Sequence, residues 1–318
     1  MSAELLAEVS DQLVLASVLL YLAAMIGFAL ELAYGKARAD APAKRAVLAG
    51  VGGPEVPEAA PTWTGAPSDE APIVHEAPAW ALRAGGIGVL LGWVGWAATL
   101  SAIIARGLSV DRWPWGNMYE FVVALCFAAV TAFLGTNLRA NVRFMGAFVM
   151  VTAALGLGFA VLYLYTAAGP VVPALNSYWI AIHVSAAVLA SGLFTVAGVS
   201  GILYLVRGEG MSRLPARADL ERVAHKAIVL AFPVWTFAVI AGALWADKAW
   251  GRYWGWDPKE VWAFITWVAY AAYLHARVTA GWRGRAATIV QLVAYACLLF
   301  NLVGVNIFLG GLHSYADV

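Results

Sequence analysis

HKAIVLAFPVWTFAVIAGALWADKAWGRYWGWDPKEVWAFITWVAYAAYLHARVTAG, residues 225–281, holds two apolar runs separated by a short loop crowded with tryptophan. Each run, 225–246 and 261–281, is about 20 residues long, the length a helix needs to cross a bilayer core of roughly 30 Å. Lipid offers no water to backbone groups, so such a run satisfies its own hydrogen bonds only as a helix. Six further windows of this kind lie at 11–34, 82–106, 117–137, 143–166, 177–206 and 286–311. The expected fold is an all-α polytopic membrane protein with about eight transmembrane helices.

Composition agrees. A chain of 318 residues has room for about two soluble domains, but it is 62% apolar and only 12% charged, with mean hydropathy +0.76. Soluble globules carry roughly 25% charged residues, so soluble enzymes and nucleic-acid binders are excluded. A net charge of +1 gives no bulk attraction to polyanions. Cys126 and Cys297 stand alone in apolar runs, and no CxxC or CxxCH occurs, which excludes a dithiol centre and covalent haem on this chain. Glu4, Glu8 and Asp11 precede the first run where a signal peptide would be basic, and no small-x-small cleavage site follows it, so it reads as a retained helix.

Eight spans put both termini on one side. Of the 20 Lys and Arg, 15 fall in the segments facing the other side, at 36–83, around 139–143, at 207–226 and around 277–285. The positive-inside rule makes that side cytoplasmic and both termini extracytoplasmic. The chain then divides into a first transmembrane helix (1–35), a disordered cytoplasmic linker (36–81) and a seven-helix body (82–318) with the Trp-rich loop 245–262 outside. The linker is rich in Ala, Pro, Gly and Glu, a composition that buries too little surface to fold. Residues 207–224, with Gly208, Gly210 and Pro215, suit a short interfacial turn or helix on the cytoplasmic face.

Six of the 15 Trp (Trp245, Trp250, Trp254, Trp256, Trp262 and Trp267) lie within 23 residues. Interfacial belts place one or two Trp at each helix end; here they gather in one outer loop with Gly251, Gly255 and Asp257. Asp257 followed by Pro258 is a good helix start, Asp as N-cap and Pro at N1, which sets indoles around the mouth of the seventh helix. A flat aromatic shelf suits a large planar apolar ligand, with haem the natural candidate; a dense interfacial anchor is the competing reading from composition alone. Haem iron needs axial ligands, usually neutral imidazole. His183, about six residues into the fifth span, and His313, after the last, both fall on the outer side with the Trp loop. Each has a plainer reading, a core histidine bonded to a backbone carbonyl and a solvated tail residue. His275 lies about 14 residues into the seventh span, roughly 20 Å below the outer surface, where an ionisable group points to function; it is too deep to share iron with the other two. His225 reads as an interfacial residue and His75 as a linker residue without a role.

The run WGRYWGWD (Trp250–Asp257), His183 in WIAIHVS, His275 in YLHAR and the tail GVNIFLGGLHSYA together resemble the CcsA (ResC) family of System II cytochrome c biogenesis, over residues 82–318. WPWGNMYEF (113–121) resembles the family's loop before the third span, where Asn117 and Glu120 would shape the outer vestibule. The resemblance implies that Trp250, Gly251, Trp254, Gly255, Trp256, Asp257 and Trp262 hold haem b, that His183 and His313 ligate its iron outside, and that His275 belongs to an inner haem site shared with a CcsB/ResB partner protein. It also implies a holocytochrome c synthase subunit in the bacterial cytoplasmic membrane, or in a plastid thylakoid, joining haem vinyl groups to the thiols of a CxxCH apocytochrome c on the extracytoplasmic side. Lipid is then the other partner, and nucleic acid none. Asp257 reads as an orienting residue rather than a general base. Two other classes remain open: a transporter of another substrate, which would carry broken helices and midplane charges, and a b-type membrane electron-transfer cytochrome, which would pair histidines at matching depths and needs no Trp loop.

Overall fold

The computed structural model describes residues 1–35, 77–208 and 213–313. These form eight long helices and no strand: α1 (Ala3–Tyr34), α2 (Ala79–Val110), α3 (Met118–Arg139), α4 (Gly146–Tyr163), α5 (Tyr178–Val206), α6 (Arg217–Trp250), α7 (Pro258–Thr279) and α8 (Gly284–Leu299). α8 runs on through a π-helical turn, Phe300–Gly304, into a last helical turn, Val305–Phe308. His75 and most of the linker lie outside the described residues. Ala79–Ala81, assigned to the linker by composition, already belong to α2.

Among the described residues, seven helices are long and apolar enough to cross a membrane. α7 is the exception: Lys259, Glu260, His275 and Arg277, with Trp262, Trp267, Tyr270 and Tyr273, lower its hydropathy. α6 starts earlier than its apolar window because its charged first turns are helical too. At 34 residues and 1.5 Å per residue it is about 50 Å long. Side chains cap three of the helix starts. The Asn117 carbonyl accepts from the Glu120 amide at the head of α3, and Ser177 accepts from Trp179 at the head of α5. α7 opens with a full capping box of Asp257 and Glu260, with Pro258 in its first turn, as the Asp-Pro pair predicts.

α1, expected to stand apart across the linker, packs along α2 and α4. The α1–α2 crossing is close because both helices present glycine: a Cβ on Gly27 would fall 2.6 Å from the Ala84 carbonyl oxygen, the small-residue contact by which membrane helices associate. Tyr21 and Thr99 share a buried hydroxyl hydrogen bond of 2.9 Å, and Ser10 donates to the Ala102 carbonyl at 2.9 Å. α5 packs on α6, α3 and α8, with Phe194 stacked 3.8 Å from Tyr270 in the middle of the core.

One charged cluster ties several of these elements together. Arg106, buried near the end of α2, donates to Glu120 at 3.1 Å, to Asp11 of α1 at 3.5 Å and to the Thr166 carbonyl beyond α4. Arg112 grips both Glu120 oxygens at 2.8 and 3.0 Å, and the Gly116 amide donates to the same carboxylate at 2.7 Å. Glu120 thereby fixes the loop 112–117 that leads into α3.

Candidate functional site

Where this loop, α5, α6, α7 and the end of α8 converge, they form a cavity lined mainly by apolar and aromatic side chains. His183, in the second turn of α5, faces it. Its Nδ1 lies 2.8 Å from the Ala238 carbonyl of α6. A carbonyl only accepts, so Nδ1 carries the proton and Nε2 keeps its lone pair. Gly242, one turn along, permits this approach, since a Cβ there would sit 2.7 Å from His183 Cε1.

His313 reaches the same cavity from the segment after α8. Its Nδ1 is 2.7 Å from Asp257 Oδ2, and the Leu312 amide donates to Asp257 Oδ1 at 2.6 Å. Asp257 is itself anchored as the N-cap of α7, accepting from the Lys259 amide at 3.2 Å. Burial opposes charge on this carboxyl, but the hydrogen bonds from His313 and from the Leu312 and Lys259 amides outweigh it and hold it below the ordinary aspartate value. The carboxylate therefore accepts from the imidazole and leaves Nε2 of His313 as the nitrogen with the lone pair.

Trp245, which is buried, lies close to both histidines. It is nearly parallel to His183 at 6.2 Å, 5.6 Å from His313, and edge-on to Trp250 at 4.8 Å. Trp250 meets His313 edge-on at 4.9 Å. Of the other residues singled out by sequence, Trp254 and Asn117 line the cavity. Gly251 ends α6 in the left-handed region at φ 69°, and the Gly255 amide donates to Glu260 Oε2 at 2.8 Å. Trp256 also has positive φ, 57°, and is largely exposed, edge-on to Trp254. Trp262 packs on Phe300 outside the lining. Glu120 lies behind the vestibule in the arginine cluster rather than on the cavity wall. His275 is exposed about one turn from the end of α7, away from the cavity, while His225 is 3.3 Å from the Tyr273 hydroxyl.

Trp245, one of the six clustered tryptophans, lines the wall as well, while sequence reasoning missed Trp115, Lys259, Glu260, Asn301 and Asn306 as wall residues. The asparagines carried a usable signal: an amide within an apolar span is costly unless it serves a purpose. Asn301 sits in the π turn of α8, a distortion frequent at functional sites.

The residues fit a haem. Metal-bound imidazole donates its second nitrogen to a carbonyl or carboxylate, which fixes tautomer and ring orientation; Ala238 and Asp257 supply one of each. The same wall also holds two buried polar atoms without a partner among the described residues, the Trp115 indole nitrogen and Asn301 Oδ1.

Comparison with known proteins bears on the same region. Residues 115–313, which contain every cavity residue named above, match the family described as cytochrome c assembly protein. A protein named cytochrome c biogenesis protein CcsA from Gloeobacter violaceus is 29% identical over 314 residues, spanning 80% of this chain and 90% of its own. Proteins of the same name from Guillardia theta and Synechococcus elongatus are 31% and 32% identical, over 70% and 66% of this chain and 85% and 81% of theirs. Both the extent of the match and the likeness to these relatives lead to one conclusion: the chain belongs to the cytochrome c assembly protein family.

Proposed function

We propose that this membrane protein, whose family gives it a role in cytochrome c biogenesis, holds haem b as substrate between His183 and His313 on the extracytoplasmic side and presents it for covalent attachment to a CxxCH apocytochrome c. The observation that carries this reading is the pair of imidazoles. They come from segments 130 residues apart, face one apolar cavity and each have Nδ1 engaged by an acceptor. The positive-inside distribution of Lys and Arg supports the outer placement of the cavity and of both termini, and the composition of the linker supports a cytoplasmic, disordered segment.

In thioether formation each cysteine thiol adds across a haem vinyl double bond. A carbon–sulfur bond forms at one vinyl carbon and the thiol proton goes to the other, so no oxidant is consumed. The protein's part is placement. Holding the porphyrin still while the peptide thiols approach turns an encounter into a near-intramolecular reaction. The cavity is walled by Trp115, Trp245 and Trp254, which exclude water from the macrocycle, and Asp257 orients His313 without exchanging a proton with substrate. The substrate's own histidine then displaces one imidazole on release. The exposed position of His275 on α7 supports a second, inner haem shared with a histidine of a CcsB/ResB partner. The bacterial cytoplasmic membrane, or the thylakoid membrane in a plastid, is the corresponding location.

His183→Gly and His313→Gly test the assignment in protein copurified with its partner. Each is expected to abolish the outer haem and cytochrome c maturation, with added imidazole restoring part of the haem. Unchanged haem content in both variants would refute it. His275→Gly should remove a different haem population.

A further inference from the structure

The cavity wall carries a partly buried lysine, Lys259, to which the fold gives no carboxylate partner among the described residues. Lys259, in the first turn of α7, points its ammonium group between α3 and the end of α8. There it donates to Asn306 Oδ1 at 2.9 Å and to the Leu302 carbonyl at 3.4 Å, and lies 6.0 Å from the centre of the Phe121 ring. No carboxylate comes within ion-pair distance of it among the described residues. Its two acidic neighbours in sequence are committed elsewhere. Asp257 accepts from His313 and the Leu312 amide, and Glu260 accepts from the amides of Gly255 and Asp257 at 2.8 and 3.1 Å. An ammonium has three donors, and two are met by neutral acceptors. In an apolar, membrane-level cavity a cation held by neutral groups alone is expensive, and the expense falls when an anion arrives with the ligand. A second donor faces the same need, since the indole N–H of Trp115 is buried with no acceptor among the described residues.

We infer that Lys259 is the anchoring site for a carboxylate of the ligand, so that the cavity selects a planar amphiphile bearing an acidic side chain; on the haem reading above, on which this rests, that group is a propionate. The wall that carries Lys259 then sets the in-plane orientation of the macrocycle. The iron ligands alone leave rotation about the axis between them free, and a fixed carboxylate removes that freedom. Lys259 is thus a specificity residue separate from the histidines.

The test uses the full-length protein in detergent or nanodiscs and two probes, iron protoporphyrin IX and its dimethyl ester, which keeps the ring, the iron and the vinyl groups but lacks the acids. Wild type should prefer the diacid. Lys259→Met should lower affinity for the diacid about tenfold or more, the scale of a charged hydrogen bond, and leave the diester unchanged; Lys259→Arg should retain most of the preference. Asn306→Asp covers the case in which the methionine variant fails to fold. It supplies an internal counter-charge beside Lys259 and should lower diacid affinity alone. If Lys259→Met and Asn306→Asp fold and keep the wild-type preference while the histidine-dependent absorption spectrum persists, the inference is overturned and the haem reading stands. If wild type binds neither porphyrin, both fall.

Discussion

Replacing Asp257 with Asn separates its two duties. Asn is as good an N-cap as Asp, so α7 should still start at Pro258. The carboxylate, however, accepts at both oxygens, from His313 and the Lys259 amide on Oδ2 and from the Leu312 amide on Oδ1. A carboxamide has one oxygen and one NH₂ group, so in either orientation it sets donor against donor at His313 or at Leu312. The imidazole loses either its acceptor or the backbone that carries it. Loss of such an outer partner costs about 10–100-fold in metal affinity, roughly 1.4–2.8 kcal/mol. The assay is haem titration by absorbance in purified wild type and Asp257→Asn, with thermal unfolding in parallel. Melting temperature should change little while haem affinity falls by that factor. The pH dependence has a defined sign. The Asp257 carboxyl is held below its ordinary value, so its support of His313 is complete above about pH 4 and is lost only as pH falls through that lower value. Titration of Asp257 itself should therefore add no change to the variant's deficit from pH 5 to 8. Wild-type haem affinity in Asp257→Asn would refute the claim that this carboxylate orients the imidazole.

Two further perturbations address the scaffold. Gly242→Ala puts a methyl group 2.7 Å from His183 Cε1 and 2.8 Å from Nδ1, so the ring must leave the Ala238 carbonyl; a weakened or shifted haem absorption band with about 1–3 kcal/mol lost in stability is expected, and an unaltered spectrum would show that the ring is not held there. Glu120→Ala leaves Arg106 and Arg112 without their shared carboxylate. Removing one partner of a buried pair costs about 3–5 kcal/mol, so the melting temperature in detergent should drop markedly, and an unchanged value would deny the cluster its role in fixing the 112–117 loop.

The helices and the convergence of His183 and His313 on one cavity were legible because both follow from hydropathy, length and the number of spans, quantities local in the chain. The Asp257–Pro258 start of α7 was legible for the same reason: capping is decided within four residues. Docking of α1 was not, because the contact of Asp11 with Arg106 spans 95 residues and hydropathy gives no partner. Glu120 was placed at the vestibule by its position in sequence, yet its side chain turns to the arginines, since two guanidinium groups outbid an apolar cavity for a carboxylate. Trp256 and Trp262 likewise belong to the tryptophan run but not to the wall. Which indoles face inward depends on the rotation of α6 and α7, and a sequence in which nearly every position is apolar carries little signal of that rotation. Lys259 stayed hidden because a lysine at a helix start near the membrane surface ordinarily reaches for water.

The π turn of α8 has a consequence for how the chain tolerates changes of length. An α-helix repeats its faces near every fourth residue; a π turn closes bonds five apart, as the Val305 amide does on the Phe300 carbonyl, and so brings Asn301 and Asn306 toward one side, where both line the cavity. That alignment is a matter of counting, independent of which side chains are present. Redrawn as regular α-helix at the same length, five residues would turn Asn306 well away from the Asn301 face and so from Lys259, whereas removing one residue together with the π turn would leave an i,i+4 pair on a shared face. Here the type of turn and the residue count have to match.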